Sequence, residues 1–91
     1  MNFDPEEIVE FILKRFNDGD KETAIIENLD ETFDMDSKTA KHAVEMTQAG
    51  FVRAGKIHSG EEFPQSKNDR DPFFRVAVKL GIEEFDKRGE K

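Results

Sequence analysis

Two histidines and 21 acidic side chains, with no cysteine among 91 residues, supply most of the chemistry open to this chain. The absence of thiols removes disulfides, thiolate nucleophiles and thiolate metal sites. His42 and His58 are sixteen residues apart, and a zinc ion held by both would need carboxylates to complete its shell. They read as ordinary surface histidines. The acidic segments invite a calcium loop, but the grammar fails. With Gly19 at the obligatory glycine, Lys14 and Phe16 fall where oxygen ligands belong, and Ile25 falls where the closing Glu belongs. Asp30, Asp34 and Asp36 have no glycine between them and fail too. Neither a phosphate-binding glycine loop nor a nucleophile elbow occurs. Ser37 or Ser59 with His42 makes a triad only if any of the many acids is admitted, which carries no information. Glu6-Glu7, Glu61-Glu62 and Glu83-Glu84 are neighbours in sequence, and on a helix such neighbours diverge. The expectation is therefore no catalytic site, no metal and no cofactor.

The elements that would carry these side chains read as helices, and the chain is expected to be a small all-α domain of three to four helices. Asp4-Pro5 with Glu7 gives a cap, a first helical proline and a capping-box partner, and Phe3 with Ile8 matches a hydrophobic staple. Ile8, Val9, Phe11, Ile12 and Phe16 then form an apolar face at helical spacing, stopped by Gly19 in the left-handed region. Asp20 is expected to cap a second helix with Ile25, Ile26, Leu29 and Phe33 inward. After a break at residues 34–36, Asp36 or Ser37 caps a third, with Ala40, Ala43, Val44, Met46 and Thr47 inward and Gly50 as its end. Residues 51–57 read either as a short hairpin turning near Ala54-Gly55 or as a loop anchored by Phe51. The chain thus divides into a core of residues 1–57, a flexible loop at 58–70, rich in chain breakers, and a C-terminal helix over 71–88 that starts at Asp71-Pro72. Gly81 weakens that helix by about 1 kcal/mol relative to Ala and marks a close helix crossing.

The order of elements over 20–57 resembles the helix-turn-helix and winged-helix pattern. That resemblance implies a third helix reading bases with Lys38, Lys41 and Gln48, and a wing carrying Arg53 and Lys56 to phosphates. Glu45 in the middle of the reading face and the acidic break at 34–36 oppose it.

Charge opposes it as well. The net charge is −7. Residues 1–36 hold twelve acids against three bases, and phosphates should be repelled from that half. Nine Phe with no Tyr and no Trp suit a small core whose aromatic rings need no polar partner. No apolar run reaches membrane-spanning length, no secretion signal is evident, and a cytoplasmic protein is expected. The function expected is a non-enzymatic protein–protein interaction module, a small acidic adaptor or regulator, with helix-turn-helix DNA binding as the alternative. The apolar arc of the C-terminal helix is wider than one core requires, so Phe73, Val76, Leu80 and Ile82 are expected at an interface such as that of a homodimer.

Overall fold

The computed structural model describes residues 4–62 and 67–89. Among these residues, four α-helices account for nearly all the regular structure: α1 Pro5–Asn17, α2 Glu22–Phe33, α3 Ser37–His58 and α4 Pro72–Gly89. The all-α expectation holds. Phe3 of the expected staple and residues 63–66 of the expected loop lie outside the described residues.

Local chemistry sets the helix ends. The Asp4 carboxylate accepts the Glu6 N–H at 3.0 Å, and Pro5 occupies the first turn, where its missing N–H costs nothing. Gly19 takes φ +88° and donates its N–H to the Phe16 carbonyl, which closes α1. Asp20 does not cap α2 as expected. Lys21 holds the N-cap position without a side-chain bond, and the Asp20 carboxylate reaches back to Arg15 at 3.5 Å. The second turn lacks a glycine because Asp34 itself adopts the left-handed conformation, φ 55°. Met35 then drops into the core, 1% exposed, and Asp36 caps α3 by accepting the Thr39 N–H at 3.0 Å.

The core collects one face of each helix: Ile8, Val9 and Ile12 from α1, Ile25 and Leu29 from α2, Ala40, Ala43 and Val44 from α3, and Phe73 and Ala77 from α4. Ile26 and Phe33 pack on it half-buried. The second helix therefore turns slightly less of its apolar stripe inward than its spacing suggested.

Two expectations about α3 are corrected. Gly50 does not end it, and residues 51–57 form neither hairpin nor loop; the helix runs unbroken to His58. Packing against α4 overrides the weak local propensity at Gly50 and Gly55. Gly50 is buried on α4, where a Cβ would lie 2.6 Å from the Ala77 Cβ and 2.7 Å from the Phe74 carbonyl oxygen. A Cβ on Gly81 would lie 2.6 Å from the Ala54 Cβ. Further along, Phe51 and Phe85 pack with ring centroids 5.1 Å apart.

These pairs also fix the direction of the two helices. Contacts advance together along both, from His42 with Asp71 to Gly50 with Ala77, Ala54 with Gly81, and His58 with Asp86. α3 and α4 are therefore parallel neighbours, and the chain between them must travel back along α3. It includes a 3-10 turn over Lys67–Arg70, held to α3 by the Arg53–Asp69 pair at 2.8 Å. Asp71 then starts α4 by accepting the Phe73 and Phe74 N–H groups on one oxygen.

The glycine contacts predict a sign. Gly81→Ala should destabilise the fold by about 1–3 kcal/mol through overpacking, although Ala is the better helix former by about 1 kcal/mol. Adding Ala54→Gly should recover most of the loss in urea denaturation. At Gly50→Ala the paired change Ala77→Gly should not rescue, because the Phe74 carbonyl still blocks the new methyl.

The Asp36 cap predicts a pH dependence. Its carboxylate is held below the ordinary range, first by the Thr39 side-chain hydrogen bond and then by the Thr39 backbone N–H. The folded state thus holds this proton less tightly than the unfolded chain. The stabilisation is complete above the unfolded Asp value of about 3.9 and is lost as pH falls through the lower folded value. Between pH 7 and pH 3, the melting temperature of Asp36→Asn should fall less than that of the parent; equal falls would show that the cap does not titrate this way.

Candidate functional site

An open groove of about 680 Å³ lies between the second half of α1, the middle of α3 and the last turns of α4. Leu13 and Phe16 reach into it from α1, Thr47, Phe51 and Val52 from α3, and Leu80 from α4. Charged and amide groups form its lip: Glu10, Lys14 and Asn17 on α1, Gln48 on α3, and Glu83, Glu84 and Lys87 on α4. Helical spacing explains the arrangement. Leu13 stands one position beyond the buried Ile12, so it turns past the core to the groove edge. On α4, Glu83 and Glu84 stand three and four residues beyond Leu80, and Lys87 stands four and three beyond them, so the apolar wall passes directly into a charged lip.

The lining is mostly apolar, with its polar groups on Thr47 and at the lip. The Thr47 hydroxyl donates to the Ala43 carbonyl at 2.7 Å within its own helix. The lining contains no Ser, His or Cys, and its carboxylates stand at the lip. Val52, on the groove wall, is 60% exposed; Ile57, five residues further along α3 and outside the groove lining, is 37% exposed.

The sequence-predicted interface residues do not form one patch. Phe73 is 9% exposed and belongs to the core, and Val76 and Leu80 pack against that core. Ile82 is half-buried and lies outside the groove lining. Of the four, Leu80 alone lines the groove. Much of the wide apolar arc of α4 is used within the chain, because α4 contacts both α3 and α1. Sequence reasoning missed Leu13 and Val52 as groove residues. Their signal was present: each is a large aliphatic residue displaced from its helix's buried stripe.

The residues assigned to the nucleic-acid alternative separate into two groups. Lys38, Lys41 and Gln48 are exposed on α3 with Glu45 among them, as the spacing predicted. Arg53 and Lys56 stand on α3 and not on a wing, since no hairpin forms. The Arg53 side chain, 14% exposed, pairs with Asp69 at 2.8 Å and lies over the Phe74 ring. It braces the connection to α4.

Both histidines also join α3 to α4. His42 Nε2 lies 2.6 Å from an Asp71 carboxylate oxygen, and His58 Nδ1 lies 3.6 Å from Asp86 with its ring stacked on Phe85. Sixteen residues of one helix hold the two rings about 24 Å apart, so they cannot share a metal ion. Among the described residues, no group of three His, Asp or Glu side chains is placed to hold one. None of the described helices is long and apolar enough to cross a membrane.

Arg53→Ala should therefore act on the fold. The loss of a mostly buried, charge-assisted pair predicts a cost of about 1.5–3 kcal/mol in chemical denaturation. A denaturation midpoint equal to the parent's would return Arg53 to the surface role that sequence spacing assigned it. Compared with known family models, curated proteins and solved structures, the chain matches none.

Proposed function

We propose that this chain is a non-enzymatic protein–protein interaction module, a small acidic adaptor or regulator, and that the α1–α3–α4 groove is its docking surface. One observation carries this reading: an apolar-lined groove with Val52 standing 60% exposed on its wall. Burial of such surface drives association, and a charged lip adds register and orientation. The lining holds no Ser, His or Cys, and its one hydroxyl, that of Thr47, is bonded within its own helix, which supports binding over bond making.

A helix-turn-helix DNA binder is the second reading. It draws on the short turn from α2 to α3 and on the exposed row Lys38, Lys41 and Gln48. The net charge of −7 and Glu45 within that row weigh against it.

Photocrosslinking distinguishes the two. A benzophenone amino acid in place of Val52, expressed in the cell of origin, should give a protein adduct. The same group in place of the exposed Glu27 on α2 should not. No protein adduct from position 52, together with a salt-sensitive gel shift abolished by changing Lys38 and Lys41, would replace the interaction module with the DNA binder.

A further inference from the structure

We infer that the groove is occupied by a second copy of this chain, forming a two-fold dimer in which Val52 of each copy enters the groove of the other. This rests on the groove being a protein-docking surface.

Two features select the occupant. The first is shape. Val52 projects from the wall of the same groove that Leu13, Phe16 and Leu80 line. A projection beside a recess on one face is self-complementary, because a two-fold axis places each projection over the other copy's recess and makes every contact twice. The second is charge. The lip carries both signs, with Glu10 and Lys14 on α1 and Glu83, Glu84 and Lys87 on α4, three acids against two lysines. A lip of one sign would repel its own copy and attract an oppositely charged partner. A mixed lip can set each sign against the other across the axis. This matters because the chain as a whole is acidic, and two copies meeting through the acid-rich face of α2 would meet like charge.

The interface differs from the one expected on α4 alone. Phe73 is enclosed in the core and can contribute nothing to it. Leu80 remains in the groove lining, and α1 and α3 supply the rest.

Sedimentation equilibrium of the full chain tests this, with the fold followed by circular dichroism. The parent should show twice its 10.5 kDa chain mass at micromolar concentration. Val52→Asp changes an exposed residue and should keep the helical signal while the dimer weakens at least tenfold. Lys14→Glu combined with Lys87→Glu makes the lip wholly acidic and should also give monomer, again with the helices intact. A parent that stays monomeric to millimolar concentration overturns the inference, as does a dimer indifferent to both variants. The two levels fail separately. A monomeric parent whose position 52 still crosslinks to a different protein refutes the dimer and keeps the interaction module. A monomeric parent with no adduct refutes both.

Discussion

The close approach of α3 and α4 is the contact on which the rest of the structure depends. It is made by two reciprocal glycine–alanine pairs, Gly50 with Ala77 and Ala54 with Gly81, one helical turn apart. Each helix contributes one glycine and one alanine, so neither backbone has to bow away from the other. Glycine in a helix interior costs about 1 kcal/mol relative to alanine. The buried contact offsets that cost, and it carries α3 past the point where its local sequence alone would end it. Phe51, Phe74 and Phe85 flank the seam and shield it from water.

Parallel packing of two long helices brings like dipole ends together, and the chain places compensating charge at both ends. Asp36 caps α3 and Asp71 caps α4, so carboxylates stand at the N-termini. Lys56 and His58 occupy the last turn of α3. His42 and His58 belong to the same design, since each joins α3 to an aspartate of α4 near one end of the pair. Asp71 serves twice, accepting N–H groups of its own helix on one oxygen and meeting His42 with the other. The returning chain is anchored midway by Arg53, whose guanidinium meets Asp69 and the Phe74 ring together.

The groove follows from that geometry. The seam turns α4 so that Ala77 and Gly81 meet α3, and helical periodicity then directs Leu80 toward α1 and places Glu83, Glu84 and Lys87 along the lip. On α3 the same constraint leaves Gln48 and Val52 outward of the seam. The recess and its exposed valine are thus both consequences of fitting two parallel helices beside a shorter α1.

Sequence alone determined the helical class, the face of α1, most of the face of α2, the starts at Asp4 and Asp71, and the choice of Asp36 or Ser37 as the cap of α3, because these depend on periodicity and on bonds within a few residues. It also marked Gly19 as a turn and Gly81 as a crossing. Tertiary structure decided what those local rules leave degenerate. Gly50 and Gly55 read as chain breakers in isolation, yet they become interior residues of α3 once α4 supplies a surface that only a glycine permits at Gly50. Asp20 has the right chemistry for a cap, but its carboxylate pairs with Arg15 across the turn. Phe73 and Val76 look like surplus apolar area until α1 and α3 both cover α4. The direction of α4 was equally hidden. No local pattern states whether a helix returns beside its predecessor or first travels back to run parallel with it, and that choice, made by the glycine–alanine seam, created the groove.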